Sequence, residues 1–563
     1  MTRGQALAGA LSSLAIVAPL AGPVAPPLRP PAGPPRGGML HVVMPWAAVP
    51  DNFNPLAPGG AGATAGGTGS VLYEPLMYDN VLTGDLTPML ATAYAWSNGG
   101  RTLTIDVRQG VRWSDGRPLS AADVAFTFNY LHEHPALDVQ GDWRAPLQSV
   151  KAVNASTVVL QYSQPDTVVL PMVLGQLVVP QHIWAHVASP TTFTNPHPVG
   201  SGPFLLRSWD SNQVVYTRNP HYWQHDRPYL NGVTMSAVKS NDTAQLLVLD
   251  GQASYTYDAI TDPVHTYVAA HPAWNRFWWP VTALNLLYMN TQTGPFADLT
   301  LRRALAMVVD DNLLSQRAYY GAIPGAGGLG LTGVVPSQQA EWVPGPLASL
   351  LPPKGPAAAR RLLVSKGYRY VHGLLAAPGG KVLPTLGILV GAGWTDFVSI
   401  AQALSGELAT IGVRSVIDQQ PWASYYSSAQ DGHFDLLVSW SNGNGPSPYY
   451  EYYYLLGSAG PAQPGAPENT DYERFSSPYV DSLLANFAST TDPVQQRADM
   501  AGVEKTVLEQ WPFIALTGRP SFFDYSTRYF TGWPDAADPY NAGEPPGSFD
   551  GGAEQVYLNV HLS

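Results

Sequence analysis

Two spacings of apolar residues, every second and every third-to-fourth, divide the chain into elements. The run TLTIDV (Thr102–Val107) alternates apolar and polar side chains, which predicts a half-buried strand. Leu301, Ala304, Leu305, Val308 and Val309 recur at helical spacing, one buried stripe, with Asp298 placed to cap its start. Phe397, Ile400, Ala401, Leu404 and Leu408 repeat that stripe until Gly412, and Val413, Ser415 and Ile417 then read as a strand. HFDLLVSW (His433–Trp440) is apolar on both sides of the alternation and reads as a fully buried strand. A first strand is expected near Met39, a capped helix from Asp492-Pro493 to about Trp511, and a strand at WPFIALTG directly after it. Ser114-Asp115-Gly116 has the chemistry of a tight reversal, and Ser120 with Asp123 spells a capping box for the next helix. A further helix is expected to open at Tyr73-Glu74-Pro75-Leu76.

Composition narrows the class. A chain of 563 residues has room for two or three domains. Charged residues make up 12%, well below the roughly 25% of an average soluble domain, a content suited to an acidic exterior where fewer ion pairs are lost on protonation. The balance of 29 basic against 41 acidic residues argues against nucleic acid as partner. Cysteine is absent, which excludes disulfides, thiolate chemistry and a Cys-linked lipid anchor. Arg3 precedes the short apolar run Ala6–Gly22, which reads as a secretory signal with cleavage near Ala21 or Ala25, or as a retained anchor. The proline-rich residues 23–38 form an extended spacer.

Motifs for catalysis fail their context tests. The glycine-rich stretch Gly59–Gly69 has no GK[ST] after it, and Gly325–Gly330, which matches GxGxxG, runs into LTGVVP instead of a helix. There is no GxSxG elbow and no HExxH. His182 and His186 form a bare pair, and His132-Glu133-His134 falls at a helix end; both read as solvated surface. A secreted glycoside hydrolase would need two carboxylates set apart by context, and none are. No catalytic residue, metal or cofactor is assigned.

Several segments, in order, carry a resemblance. Tyr73-Glu74-Pro75-Leu76, Pro88-Met89-Leu90-Ala91 and Arg108–Val124 come first, followed by Val199–Trp223 with its GSGPF turn and NPHYW stop. A third block, Thr282–Leu314, contains Asn290, Pro295-Phe296, Asp298, Arg302 or Arg303, Ala304-Leu305 and Asp310, with Asp311 where arginine is usual. In these the chain resembles the extracellular solute-binding proteins of the peptide/nickel/oligosaccharide class, family 5, of ABC importers. The resemblance implies an α/β, type II periplasmic-binding-protein-like fold of two lobes with an extra domain inserted in the first. Domain I would take residues 39–75, 200–283 and 512–563, domain II residues 76–199, and domain III residues 284–511. Strand crossovers near Val281–Leu287 and Trp511–Thr517 would form the hinge. The implied protein is an exported monomer that passes a small oligopeptide, or alternatively an oligosaccharide, to membrane permease subunits.

The resemblance also directs attention to the loop after Phe434-Asp435…Trp440. Peptide-binding members usually place an aspartate just after this tryptophan to meet the ligand's ammonium. Here Ser441, Asn442, Gly443 and Asn444 follow, and amide side chains suit hydroxyls. Trp422, Tyr425, Trp440, Tyr449 and Tyr450 supply aromatic faces nearby, with alternate tyrosines of YYEYYY expected to be buried. The expected ligand contacts are these five with Asn442, Asn444, Phe126, Trp46 and Asn52. Glu451, Asp435 and Glu74 are the candidate carboxylates should the ligand carry an ammonium group.

Overall fold

The structure is a computed structural model, and it describes residues 33–44, 48–58, 64–143, 146–441, 445, 447–457, 471–543 and 552–563. Three sheets organise them. A seven-stranded sheet runs in the order Asn275–Trp278, Phe523–Ser526, Tyr255–Thr256, Met39–Met44, Gly232–Ala237, Gln213–Arg218 and Phe204–Asp210. A five-stranded sheet runs Ser415–Gln420, Leu386–Gly391, Leu436–Trp440, Val281–Met289 and Phe513–Pro520. The strands Ala91–Ser97, Thr102–Val107, Thr157–Tyr162 and Leu147–Asn154 make a four-stranded antiparallel sheet. The result is the α/β two-lobe fold of type II binding proteins, which also carries the four-stranded sheet.

Burial explains why the five-stranded sheet reads as nearly continuous apolar sequence. Leu287, Met289, Ile388, Val390, Leu436, Val438, Ile514 and Leu516 face one core, with the helices Leu299–Val308, Asp311–Tyr319 and Thr395–Thr410. Their strand neighbours Leu286, Tyr288, Leu389, Leu437, Phe513 and Ala515 face another, under the helices Tyr449–Leu456, Pro478–Ser489 and Pro493–Gln510. A sheet covered on both sides has no polar face to show. The four-stranded sheet differs: Leu103, Ile105, Val158 and Leu160 turn inward onto Val124 and Phe128 of the helix Ala121–Glu133, and the edge strand Ala91–Ser97 is largely exposed.

The start signals act as their chemistry requires. Ser120 N–H donates to Asp123 Oδ2 at 3.0 Å, and the Ser120 hydroxyl accepts from Ala122 N. Asp298 Oδ1 accepts from Thr300 N at 2.7 Å, and Asp492 Oδ1 from Val494 N at 2.9 Å. The SDG turn closes through Gly116 N to Trp113 O at 2.8 Å, with Gly116 at φ 89°, a region open to glycine. No helix among the described residues is long and apolar enough to cross a membrane.

Two expected elements differ. Tyr73–Leu76 does not open a helix: a single wide helical turn, Thr68–Leu72, ends before it, and Tyr73 is extended at φ −125°. Pro75 has no N–H to give a helix and biases Glu74 toward extended backbone, so the segment bridges to Leu177 and feeds the strand Met77–Asp79. The YYEYYY run is a helix, Tyr449–Leu456, and its buried residues are Tyr449, Tyr450, Glu451 and Tyr452 together, since a helix wedged between others hides most of its circumference.

Candidate functional site

The chain passes between the seven-stranded and five-stranded sheets twice, through Trp279-Pro280 and through Ser521-Phe522. The two passages touch, with Ser521 N donating to Pro280 O at 2.8 Å. Beyond them Val281–Met289 and Phe513–Pro520 pair antiparallel, with register shifts between Val281 and Ala283 and between Asn285 and Leu286. Such irregularities turn side chains out of the regular alternation. At the second shift Asn285, fully buried, donates from Nδ2 to Tyr319 Oη at 2.7 Å and to Thr517 Oγ1 at 3.0 Å. Tyr319 donates in turn to Asp396 Oδ2 at 3.3 Å. Across the passage Trp279 Nε1 donates to Asp524 Oδ1 at 3.1 Å.

Buried acids converge on this junction from three elements. Asp258 follows the strand Tyr255–Thr256, Asp524 lies on its antiparallel partner Phe523–Ser526, and Asp396 stands in the first turn of Thr395–Thr410. Burial pushes the Asp396 carboxyl up to about 6, against the backbone N–H of Phe397 and the Tyr319 hydroxyl, which favour its ionised form. Burial also raises Asp258 and Asp524 well above the carboxylate range, helped by the charge of Asp396 on Asp258 and of Asp258 on Asp524.

Beside the acids lies a group of rings. Trp394 has its centroid 5.6 Å from both Trp422 and Trp440 and 5.1 Å from Tyr425. Trp422 and Trp440 lie parallel, 2° apart in plane at 6.3 Å. The Arg519 guanidinium sits 4.8 Å above the Trp440 ring, and its charge is felt by Asp396. Trp394 lies flat against Gly391, where an added Cβ would collide with the indole, so that position admits no side chain without moving the ring.

Of the expected contacts, Trp422, Tyr425 and Trp440 are brought together here, Tyr425 fully buried with its hydroxyl on Val438 O at 3.0 Å. Tyr449 and Tyr450 sit in the core: Tyr449 stacks on Phe487 at 5.2 Å, and Tyr450 donates to Val168 O at 2.8 Å. Phe126 packs on Tyr130 at 5.2 Å, and Asn52 Oδ1 accepts from Asn54 N at 3.0 Å in a local turn. Trp46, Asn442 and Asn444 lie outside the described residues. Among the candidate carboxylates, Asp435 accepts from Gly387 N at 2.9 Å, tying two strands. Glu74 accepts from Tyr222 Oη and Trp223 Nε1, both at 2.8 Å, and Glu451 is buried in its helix. Trp394, Asn285, Arg519 and the three aspartates are the additions. Their one sequence signal is polarity inside otherwise apolar strands, visible at Asn285 in ALNLLYM and at Asp524 in FFDYS. Two surface depressions, one lined by Phe475 and Glu509 and one by Leu374 and Arg414, include no residue of the crossing strands.

Comparison with known proteins agrees with this architecture. The family described as bacterial extracellular solute-binding proteins, family 5 Middle, matches residues 85–463. The periplasmic murein peptide-binding protein of Escherichia coli is 25% identical over 477 residues, 79% of this chain and 82% of that protein. The nickel-binding periplasmic protein of the same organism is 24% identical over 76% of this chain and 80% of its own. Among solved structures, the periplasmic oligopeptide-binding protein of a Thermotoga maritima ABC transporter, with mannohexaose bound, shares the fold at TM-score 0.83 and 22% identity, covering 93% of this chain and 98% of that one. An oligopeptide-binding protein of Bacillus subtilis in complex with a nonapeptide does so at 0.75 and 18% identity, over 94% and 100%.

Proposed function

Because the chain belongs to family 5 of the bacterial extracellular solute-binding proteins, and is thus the substrate-binding component of an ABC importer, we propose that it captures a small oligopeptide at the junction of its lobes and delivers it to the permease. The carrying observation is the junction itself. Both crossing strands place buried polar groups there, and residues from both sheets' layers surround them. Peptides are favoured as ligand by the relatives, which include murein peptide-binding, di/tripeptide-binding and glutathione-binding proteins.

Members of the family are transport components, and binding without turnover is expected. The apolar run Ala6–Gly22 would direct export, and the absence of cysteine means that surface retention, if any, uses another device than a lipidated thiol. The two inter-sheet passages at Trp279-Pro280 and Ser521-Phe522 would serve as the hinge. A saturating ligand should raise the thermal midpoint by mass action and reduce the radius of gyration in solution scattering. Steady conversion of a peptide or oligosaccharide pool into smaller products would refute the binding role, and an unchanged radius at saturation would refute closure.

One observation favours an oligosaccharide as the second reading: the parallel Trp422 and Trp440 planes, a geometry suited to the apolar face of a sugar ring. Calorimetric titration with a tripeptide pool and with mannohexaose separates the two.

A further inference from the structure

Two buried acids outside the crossing strands touch each other. Glu74 and Glu554 are both at 0% exposure, Glu74 ahead of the strand Met77–Asp79 and Glu554 in the first turn of the C-terminal helix Gly552–Asn559. The Tyr222 hydroxyl joins them, 2.8 Å from Glu74 Oε1 and 3.1 Å from Glu554 Oε1. It carries one hydrogen, which serves the two oxygens in turn. Trp223 Nε1 donates a second hydrogen to Glu74 Oε1 at 2.8 Å. Arg108 is committed elsewhere: it donates to Met89 O at 2.6 Å and Pro88 O at 3.3 Å, lies 4.1 Å over the Trp223 ring, and acts on Glu74 through its charge. Neither Oε2 atom meets a donor group among the described residues, although the two carboxyls lie in hydrogen-bonding contact with each other. Two ionised carboxylates would repel in a place so dry, whereas a proton on one supplies the hydrogen that the other accepts.

We propose that Glu74 and Glu554 hold one proton between them and so form a pH-operated clasp for the C-terminal helix, closed while the proton is shared and open once it leaves. The clasp goes beyond solute capture and does not depend on it. It sits where separate segments of the chain meet. Leu558 of the helix packs with Tyr78, Met89 and Tyr222, Gln555 Nε2 lies 3.3 Å from Met89 Sδ, and Asn541 Nδ2 donates to Gly552 O at 2.8 Å. Tyr222 and Trp223 follow the strand Gln213–Arg218, while Met89 and Arg108 adjoin the strands Ala91–Ser97 and Thr102–Val107 of the four-stranded sheet. Apart from Arg108, the titratable groups around the pair are phenols: Tyr222 on both acids, and Tyr557 of the same helix with Tyr216, all raised by burial and therefore neutral. Burial pushes Glu74 up to about 7, and burial with the charge of Glu74 raises Glu554 well above the carboxylate range. Both acids bind a proton more tightly folded than unfolded, so the clasp is at full strength in acid and is lost as pH rises past neutral.

The test is hydrogen exchange read by mass spectrometry on the full chain at pH 6 and pH 9, each rate divided by the intrinsic rate at that pH. Protection of residues 552–559 should fall roughly ten-fold or more at pH 9, while that of the helix Ala121–Glu133 changes by about two-fold or less. Glu554→Gln brings permanent amide hydrogens to the same contacts and should keep the helix protected at both pH values. It should also remove infrared absorption of a protonated carboxyl that the wild type shows at pH 6. Should that variant not fold, Tyr222→Phe supplies the second reading: without the joining hydroxyl, protection of 552–559 should already be lowered at pH 6, with Ala121–Glu133 unchanged. Equal protection of 552–559 at both pH values in the wild type overturns the clasp. So does a fall in Glu554→Gln as large as the wild type's, or wild-type protection of Tyr222→Phe at pH 6.

Discussion

At the scale of single residues, the three tryptophans near the crossing strands differ in what they do. Trp394 touches both other indoles and Phe397, and rests on Gly391, so its loss would open the core as well as the site. Trp422 opens the helix Trp422–Asp431, is half-buried, and stacks on Tyr426 at 5.4 Å and parallel to Trp440. Its removal should therefore act on binding more than on folding. Trp422→Ala is expected to weaken ligand binding by about 1–3 kcal/mol, the range for a lost aromatic contact. It should lower the thermal midpoint less than Trp394→Ala does. Paired titration and melting curves on the two variants check this, and an unchanged affinity in Trp422→Ala would place that ring outside the site.

At the scale of elements, Arg302 shows how a motif residue can be structural. It is buried on the helix Leu299–Val308, donating to Gln510 O from Nε and Nη2 at 3.1 and 2.8 Å and to Phe296 O from Nη1 at 2.7 Å. Gln510 ends the helix Pro493–Gln510, so the guanidinium also meets the negative end of a helix dipole. Arg302→Met should cost about 3 kcal/mol in denaturant melts, since buried carbonyls lose charged donors, and Arg302→Lys should recover only part because one ammonium cannot fork to both. Loss below about 0.5 kcal/mol would show that water replaces the guanidinium. The same helix shows what the sequence could carry. Its stripe and its Asp298 cap follow local rules, as do the Ser120 box and the SDG turn, and all are legible without the fold. Tyr73–Leu76 and the burial of YYEYYY departed from the local reading because tertiary packing decides them: the first is held extended by Pro75 and its bridge to Leu177, and the second, a helix, buries Tyr449 to Tyr452 consecutively instead of at alternate positions. The junction was less legible still. Asp258, Asp396 and Asp524 are 138 and 128 positions apart along the chain, and only the pairing of Tyr255–Thr256 with Phe523–Ser526 and the Tyr319–Asp396 bond brings them into one neighbourhood.

At the scale of the whole molecule, the low charge content and the buried acids lead to one pH dependence. Burial pushes Glu74 and Glu407 up to about 7, Glu504 up to about 8 and Asp396 up to about 6. Glu554, beside Glu74, and Glu473 are raised as well, chiefly by burial. In the unfolded chain such carboxyls ionise near 4. Each group therefore binds its proton more tightly when folded. Its contribution is fully present below the unfolded value and is lost as pH rises through about 6 to 8. Asp115 and Asp298 pull the other way: burial raises them, but hydrogen bonds from Arg117 and His182, and from Tyr368 and Thr300, more than offset it. Both are partly exposed, which screens their effect. Each pH unit by which the fold delays ionisation corresponds to about 1.4 kcal/mol at most for one group. The raised acids outnumber and outweigh the lowered ones. The thermal midpoint should accordingly be higher at pH 5 than at pH 8, and Glu504→Gln should flatten the slope between pH 7 and 8 without lowering the acid plateau. Calorimetric scans across that range decide it. A midpoint that falls steadily from pH 8 to pH 5, or a fold lost by pH 4, would mean that the carboxyls are charged in the folded state, and the low charge content would then have no connection with an acidic exterior.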